Sequence, residues 1–464
     1  MKRSGASSTV VAVLFIVGLL VGAGVGYYAE STTKTSSTTT ITQTATGTAT
    51  TATVTSTVTA TGASSGLSGT IQIGVLSDLS DGLSSEGLRV QAYSQQAATD
   101  INTWLASTQW AGKVTFKADV VDYKGDLTTA DTDLKSLASS GVSVAVGPLS
   151  SGVVGAIYKD AQSLQVVLIS PSSTSPAYYG VSPYLYRTAP NDVFQGQADA
   201  TEFASMGVKG IIIVYRDDTY GYGLFNYTSA DFAKTPGTTV DAVPYSTTLS
   251  GQQAFSSIAS TINTDYQALT SKYGANAVAI DAISFEEVGY LLKAVQASYP
   301  SLLTTPQPWY GTDGEQGDTA LTNSTYGSLM QSTRMVASVF GYTNSSRTLA
   351  VCADFSKQPS LSCDSYALGA YDDTWVAALS ILDCGANSGS CVSKVLPSVA
   401  DSYFGVTGWT SLTSPTGVGG DRQGGDFQLW CVQNPKAGLN WYYCGDWSST
   451  TNTVTWVTGQ QPST

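Results

Sequence analysis

From about residue 69 onward, short apolar runs rich in β-branched residues alternate with longer stretches in which apolar residues recur every three or four positions. The short runs predict buried strands, and the longer stretches predict amphipathic helices. The predicted strands span residues 70–76, 113–121, 143–146, 166–170, 210–215 and 277–281. The predicted helices span residues 86–105, 128–139, 153–163, 254–273 and 286–298. Strands separated by helices imply parallel sheets with helices on both faces, which is an α/β fold.

The alternation restarts after Asn191, where a second series of buried strands and helices begins. This restart predicts two similar, Rossmann-like lobes rather than one long sheet. In open parallel sheets, ligands bind beyond the carboxyl ends of the strands. The loops at those ends are therefore the segments in which functional residues are expected.

Residues 9–28 form an uncharged, mostly apolar run that follows Lys2 and Arg3. As a helix, this run would span about 30 Å, the thickness of the hydrocarbon core of a bilayer. The basic pair predicts a cytoplasmic start, with the rest of the chain outside the cell. We therefore expect residues 1–30 to be an uncleaved membrane anchor; a removed signal peptide and a leader processed near Gly5 are the alternatives.

Residues 31–68 consist mostly of Thr, Ser and Ala. Because a segment of this composition cannot bury enough apolar surface to fold, it is predicted to be a disordered stalk. Dense hydroxyl groups in an exported segment also favour O-glycosylation. N-linked glycosylation is predicted at three sequons, Asn226, Asn323 and Asn344.

The composition of the 464-residue chain narrows the function further: 12% of residues are charged, the net charge is -13, and there is no His. The acidic balance argues against a nucleic-acid partner, which would need clustered Lys and Arg. Without His, an enzyme would depend on carboxylates, and the adjacent acids Glu286–Glu287 and Asp372–Asp373 would point in different directions on a helix. We therefore expect no enzyme activity, no metal and no cofactor. A surface poor in charge and His also suits an acidic exterior.

All six cysteines lie in the last quarter of the chain, in three close pairs. An even number of cysteines in an exported chain predicts disulfides, although six cysteines permit 15 connectivities. The expected pairing joins neighbours: Cys352 with Cys363, Cys384 with Cys391, and Cys431 with Cys444.

Two loops rich in hydroxyl groups follow predicted strands. The first, Gly147-Pro-Leu-Ser150-Ser151-Gly, opens a helix, so its hydroxyls and free N–H groups can hold a carboxylate; simple N-capping is the alternative. The second, residues 169–176, contains several Ser and Thr residues and could equally be an ordinary turn. Together the two loops can enclose one small anion. The Gly- and Ser-rich loop at 77–82 has neither a GxGxxG pattern nor a Walker lysine, so no nucleotide site is expected.

The order of these motifs resembles the branched-chain amino-acid binding-protein family over residues 69–432. The resemblance rests on Gly74, Gly87 and Asn102, then on the strings GPLSS at 147–151, ISPSST at 169–174, RTAPND at 187–192 and DTYGYG at 218–223. It implies a type I periplasmic-binding fold, with two lobes joined by a three-stranded hinge and a ligand in the cleft.

The resemblance also implies how the chain divides between the lobes. Residues 69–190 and 336–410 are expected to form the first lobe. Residues 191–335 and the terminal strands and tail at 411–464 are expected to form the second.

In that family, hydroxyl groups of the first lobe hold the ligand carboxylate. The residues that this implies here are Ser150, Ser151, Ser172, Ser173 and Thr174. Ser172 and Ser173 stand where small Ala residues are common, which makes the cleft more polar than an aliphatic ligand needs.

The second lobe is expected to supply three further contacts. Tyr220 matches an aromatic residue that closes over the ligand, or is an ordinary turn residue. Asp313 matches an acidic partner for the ligand ammonium, or is a turn or N-cap residue. Ser284 or Phe285 occupies another aromatic position of the cleft.

The resemblance implies the solute-binding subunit of an ABC importer, which captures an amino acid or a similar small polar solute and docks on a permease. It would be a monomer at the extracellular face of the membrane, held by its N-terminal helix. The alternatives are a structural or sensory surface ectodomain with the same fold and, last, a hydrolase based on carboxylates.

Overall fold

The structure is a computed structural model that describes residues 36–47, 50–61, 66–342, 344–412, 419–434 and 438–462. The predicted membrane anchor at 1–30 lies outside this part of the chain. Among the residues that are described, no helix is both long enough and apolar enough to cross a membrane.

The segment predicted to be a disordered stalk contains two strands, β1 (Ser36–Gly47) and β2 (Thr50–Thr61). They pair antiparallel along their whole length and form a separate two-stranded sheet. The prediction is therefore wrong for these residues. β-Branched Thr and Val favour the extended backbone, a preference that the composition-based expectation of a stalk did not take into account.

The body begins at Gly66, and its first part contains the elements β3 (Gly69–Ser77), α1 (Ser84–Leu105), β4 (Val114–Asp122), α2 (Leu127–Ser139), β5 (Val144–Val146), α3 (Ser151–Leu164), β6 (Val167–Ser170) and β7 (Leu185–Arg187). The chain continues through α4 (Asp192–Ser205), β8 (Gly210–Arg216), α5 (Thr219–Phe232), β9 (Thr239–Tyr245), α6 (Ser256–Tyr273), β10 (Val278–Ile283), α7 (Val288–Ser298), β11 (Trp309–Gly311), α8 (Thr319–Thr322), α9 (Gly327–Thr333) and β12 (Val336–Phe340). The last part contains α10 (Ser346–Phe355), α11 (Ser365–Cys384), α12 (Gly389–Asp401), β13 (Phe404–Gly405), β14 (Gly408–Trp409), β15 (Gly420–Asp421), β16 (Phe427–Gln433), β17 (Asn440–Ser448) and β18 (Thr453–Trp456). Short 3₁₀ helices span Pro176–Tyr178, Gln252–Phe255, Ala275–Ala277, Pro300–Thr304 and Pro359–Leu361.

Two large sheets define two lobes. The sheet of the first lobe has the order β15-β7-β6-β5-β3-β4, and all of its strands are parallel. The sheet of the second lobe has the order β18-β17-β16-β12-β11-β10-β8-β9, in which β16, β17 and β18 are antiparallel additions. The predicted pair of α/β lobes with parallel sheets is confirmed.

The chain passes between the two sheets three times, after β7, after β12 and after β15. The crossing segments contact one another: the amide of Arg422 donates to the carbonyl of Arg187 (2.9 Å), and the amide of Gly341 donates to the carbonyl of Asp426 (2.7 Å). They form the three-stranded hinge that the resemblance implied.

Two of these crossings lie later than the expected boundaries at 335 and 410. β12 pairs with β11 and β16 in the second sheet, and β15 pairs with β7 in the first. The chain therefore leaves the second lobe after Phe340 and re-enters it after Asp421. A short buried strand has the same apolar pattern in either sheet, so the pattern alone cannot assign it to a lobe.

Side-chain caps begin the helices that border the cleft. Ser150 caps α3 by accepting from the amide of Val153 (3.3 Å), and Asp218 caps α5 by accepting from the amide of Gly221 (2.9 Å). Asp364 caps α11 through two amides. Each cap satisfies an N–H group that has no partner within its helix, and thereby sets where the helix starts.

Three disulfides join the expected cysteine pairs, with Cα–Cα distances of 5.3 Å for Cys352–Cys363, 6.0 Å for Cys384–Cys391 and 5.9 Å for Cys431–Cys444. The Cys431–Cys444 bridge joins the neighbouring strands β16 and β17. A disulfide stabilises mainly by restricting the unfolded chain, and the effect grows with the length of the closed loop.

Replacing both Cys431 and Cys444 by Ser is therefore expected to lower the free energy of unfolding by about 3 kcal/mol. The Cys384–Cys391 bridge closes a shorter loop, so the same double replacement there should cost about 2 kcal/mol. Guanidinium unfolding of both variants measures the difference. A larger loss at the Cys384–Cys391 bridge would contradict the loop-length explanation.

Candidate functional site

A small cavity lies between the two lobes, at the carboxyl ends of the parallel strands. The first lobe lines it with Leu83, Glu86, Leu149, Ser150, Ser151 and Ser172. The second lobe contributes Tyr220, Phe285, Asp313 and Gly314, and Tyr366 comes from the start of α11. The cavity has a volume of about 10 Å³, which is the space of roughly one water molecule. The cleft is closed in this structure.

Six of the eight predicted ligand-binding residues line this cavity: Ser150, Ser151, Ser172, Tyr220, Phe285 and Asp313. Ser173 and Thr174 do not line it, although both are buried. Ser173 and Thr174 instead lie behind the residues that line the first-lobe side of the cavity. The hydroxyl of Ser173 lies 3.1 Å from that of Ser151, and the carbonyl of Thr174 accepts from the amide of Asp192 (3.0 Å). Ser284, the alternative to Phe285, is buried and accepts a hydrogen bond from Tyr245 (2.7 Å).

The first-lobe side of the cavity is formed by hydroxyl groups at the N-terminus of α3. Ser150 caps this helix, and Ser151 is its first residue. The Ser151 hydroxyl accepts from the amide of Ser175 (3.1 Å), and the Ser172 hydroxyl donates to the carbonyl of Leu149 (3.2 Å). The positive end of a helix favours an anion, so this side of the cavity can hold a carboxylate.

The second-lobe side carries the buried carboxyl group of Asp313. It accepts from the Gln195 amide (2.9 Å), from the Tyr220 hydroxyl (2.7 Å) and from the Tyr366 hydroxyl. Burial raises the pKa of Asp313, while these three hydrogen bonds oppose the rise. A carboxylate has about four acceptor positions, so one remains for a ligand.

Aromatic rings support the carboxyl group. Tyr220 stacks on Phe285, with ring centroids 5.4 Å apart and planes at 16°. The guanidinium of Arg216 lies 3.8 Å from the centroid of Phe285 and pairs with Asp218 and Glu287. Cation–π contact and the two ion pairs hold the Phe285 ring in place, so Tyr220 and Phe285 form a rigid wall of the cavity.

Sequence reasoning missed Glu86 and Tyr366 as site residues. Glu86 lies in the first turn of α1, one residue before Gly87. A Cβ atom at Gly87 would lie 1.7 Å from the carbonyl oxygen of Asp78, so α1 packs tightly on the preceding loop and carries Glu86 into the cleft. Tyr366 lies near the start of the aromatic-rich helix α11, where aromatic residues usually pack in the core, but its hydroxyl donates to Asp313. The available signal was the position of Glu86 in the first turn of the helix that follows β3, at the ligand edge of the sheet.

Several polar contacts connect the lobes around the cavity. α11 packs on α1, β5 and β6 of the first lobe, so the bond from Tyr366 to Asp313 crosses the cleft. Ser85 donates to Asp318 (2.7 Å), and Arg89 donates to the carbonyl of Gly317 (2.9 Å). These contacts exist only when the lobes are together.

The three sequon residues, Asn226, Asn323 and Asn344, are all exposed. They are accessible to a modifying enzyme, and glycosylation at these positions stays a prediction.

The chain forms two α/β lobes, passes between them three times and leaves a cavity between them. This architecture defines a binding protein of the type I periplasmic fold. Residues 95–414 match the family described as the receptor family ligand binding region, and the chain belongs to that family. Family and fold are those of binding proteins rather than of enzymes.

Solved structures with this fold include amino-acid binding proteins. A leucine-binding protein of Thermotoga maritima is 17% identical, with a TM-score of 0.64, over 80% of this chain and 97% of its own. The substrate-binding protein of a branched-chain amino-acid transporter from Streptococcus pneumoniae, in complex with isoleucine, is 20% identical, with a TM-score of 0.61, over 81% of this chain and 100% of its own. An uncharacterized protein of Methanocaldococcus jannaschii is 27% identical over 404 residues, which are 83% of this chain and 91% of that protein.

Proposed function

We propose that this protein captures an amino acid, or a similar small polar solute, between its lobes and delivers it to the permease of an ABC importer. The observation that carries this proposal is the cavity itself. One of its sides presents the N-terminus of α3 with the hydroxyls of Ser150, Ser151 and Ser172, and the opposite side presents the carboxyl group of Asp313. A zwitterion matches the charge of both sides and would hold the lobes further apart than they lie here, where the cavity has the size of about one water molecule.

The two sides of the cavity do different work in this proposal. The ligand carboxylate binds at the helix N-terminus, where N–H groups and hydroxyls replace its hydration shell. The ligand ammonium binds the remaining acceptor position of Asp313, because a buried ammonium needs a charged partner. Tyr220 and Phe285 cover the apolar part. Micromolar affinity requires about 8 kcal/mol, which such a set of contacts can supply.

Closure of the lobes follows from the same geometry. A ligand that contacts both lobes binds the closed form better than the open form, so it shifts the population toward closure. The closed form then presents a defined surface to the permease. The proposal includes delivery of the solute to the permease, and it includes a monomeric binding protein.

The three disulfides support a location outside the cytoplasm, because disulfides persist in oxidising compartments. Periplasmic binding proteins among the structural neighbours support the same location. We propose that the N-terminal segment 1–30 tethers the protein to the outer face of the cell membrane.

The first test is a thermal-shift screen of the full-length protein against amino acids, carboxylates without an amine, amines without a carboxylate, and sugars. A ligand that binds only the folded state raises the melting temperature. We expect a rise with an amino acid that is at least halved in an Asp313→Asn variant, since the ammonium loses its charged partner. The exposed Asp217 is the matched control, and Asp217→Asn should leave the rise unchanged.

The outcomes separate the parts of the proposal. A rise only with compounds that lack an amine would keep a binding protein but remove the ammonium role of Asp313. No rise with any compound of the panel would contradict solute capture and would favour a structural surface protein.

A further inference from the structure

The cavity contains a second buried carboxyl group, that of Glu86. The residue is only 8% exposed and lines the cavity from the first lobe. Among the residues that the structure describes, nothing donates a hydrogen bond to its Oε1 atom. Asp313, in contrast, accepts three hydrogen bonds from protein groups. The Oε1 atom of Glu86, on a side chain that lines the cavity, therefore has acceptor capacity that the described protein groups do not use.

The nearest cation does not neutralise Glu86. Arg89 lies one turn further along α1, pairs with Asp364 and donates to the carbonyl of Gly317 (2.9 Å). Arg89 therefore already has two partners, and one of them lies across the contact between the lobes.

The other groups that act on Glu86 come from several elements. Burial raises the pKa of Glu86 most; the hydroxyl of Ser172 and the charge of Arg89 lower it, and the charges of Asp364 and Asp313 raise it further. Tyr123 and Tyr366 are also close enough to interact electrostatically with the carboxyl group. The pKa of Glu86 is raised to about 8. The group is therefore mostly protonated at neutral pH until a cation arrives.

A larger chamber with a volume of about 430 Å³ adjoins this cavity. The cavity and the chamber share Leu83, Ser150 and Phe285 as lining residues. The chamber carries the acidic side chains Asp78, Asp81, Glu286 and Glu287, and among the described residues its one basic side chain is Arg216. Arg216 is already paired with Asp218 and Glu287. A cleft lined by one sign of charge concentrates ligands of the opposite sign, which are cations here.

We propose that Glu86 binds a second cationic group of the ligand, and that the protein selects amino acids with a cationic side chain. The inference rests on the function proposed above. In such a complex the ligand carboxylate lies at the N-terminus of α3, the α-ammonium at Asp313 and the side-chain cation at Glu86. Two buried carboxylates are then matched by two ligand cations. An aliphatic amino acid would leave Glu86 protonated and its buried Oε1 atom without a hydrogen-bond partner.

Lysine and norleucine test this directly, because norleucine has the same linear side chain as far as Cε, where it ends in place of the ammonium. Titration calorimetry of the full-length protein should show that lysine binds about 30-fold or more tightly than norleucine, since a buried pair is lost with norleucine. At pH 7 lysine binding should also release close to one proton, because Glu86 ionises when the cation binds. The slope of the heat against the ionisation enthalpy of the buffer measures that proton.

The variant Glu86→Gln tests the residue. It should bring the affinity ratio of lysine to norleucine down to about one and abolish the proton release. Gln is uncharged and nearly isosteric with Glu. A melting temperature close to that of the unmodified protein is the control that the variant is folded. Asp217→Asn serves as the exposed control and should keep both the ratio and the proton release.

Three results would overturn the inference, in different ways. If the unmodified protein binds norleucine or leucine as tightly as lysine, the cationic class is wrong while solute capture stands. If lysine is preferred but Glu86→Gln keeps the preference, the cation binds elsewhere. If no amino acid binds at all, the inference and the proposed function fail together.

Discussion

Replacing Asp421 by Asn should lower the free energy of unfolding by about 3–5 kcal/mol, because it leaves a charged guanidinium buried without its counter-ion. Arg187 is completely buried. Its Nε donates to Asp421 Oδ1 (2.7 Å), its Nη2 donates to Asp421 Oδ2, and its Nη1 donates to the carbonyl of Ser175 (2.7 Å). Arg cannot lose its proton in a protein, so the guanidinium stays charged after its paired carboxylate is removed.

The pair also joins two parts of the first sheet that are distant in sequence. Arg187 ends β7 and Asp421 ends β15, and both strands lead directly into crossings between the lobes. The loss of stability in Asp421→Asn is therefore expected to affect the whole folded body. Heat or guanidinium unfolding measures this loss.

Asp426→Asn is the matched control for this prediction. Asp426 is exposed and accepts from the amide of Ser449 (2.8 Å), a bond that Asn can also accept. Its cost should stay under about 1 kcal/mol. Replacing the pair together, Arg187→Met with Asp421→Leu, should recover much of the loss, because no charge is then buried. An Asp421→Asn variant as stable as the unmodified protein would show that the ion pair is not needed.

The stability of the protein should rise as the pH falls from 8 to 5. Asp199 and Glu202 lie one turn apart on α4, and Asp281 lies on the neighbouring β10. All three are buried, and none forms an ion pair within the described part of the chain. Burial raises the pKa of Asp281 to about 7, and burial together with the nearby Asp281 raises the pKa values of Asp199 and Glu202 well above their usual range.

The direction follows from proton linkage. A carboxyl group whose pKa is raised in the folded state stays protonated there, while in the unfolded chain it ionises near pH 4. Its contribution is complete below that pH and is lost as the pH rises to the folded-state pKa, at about 1.4 kcal/mol per pH unit for each group. For Asp281 the window therefore extends from about pH 4 to about pH 7.

Asp281→Asn removes one titrating group from the cluster while keeping its shape. We expect a protein that is more stable at pH 7 and whose stability changes less between pH 5 and 8, by roughly one proton in the slope. Melting temperatures across this range test the prediction, with Asp217→Asn as the exposed control. A protein that is most stable at neutral pH and loses stability toward pH 5 would refute it, together with the expectation of an acidic habitat.

The parts of the fold that the sequence predicted are those with a strong local pattern. Each of the six predicted strands coincides with a strand of the structure, because buried parallel strands are apolar throughout and stand out against amphipathic helices. β7, β11 and β15 have only two or three residues, too few to establish a period. The hairpin β1–β2 was missed because a segment without a core was assumed to have no order.

The candidate site divides in a similar way. The hydroxyl loops at Ser150 and Ser172 were predicted because loops after parallel strands converge at one edge of the sheet. Glu86 was missed because an acidic residue in the first turn of a helix is usually an exposed partner of the helix dipole. Its burial depends on how α1 packs against the loop at Asp78 and Gly87, which is a tertiary contact without a local pattern.

The hydrogen bond from Tyr366 to Asp313 has a consequence for the timing of capture. It joins the lobes across the cavity, so a solute can enter or leave only while that bond is broken and the lobes are apart. The observed association rate constant is then the rate constant of the open form multiplied by the fraction of molecules that are open. It therefore falls below the diffusion limit. Entry and escape share one gate. The strength of the contacts between the lobes thus sets how long each captured molecule stays.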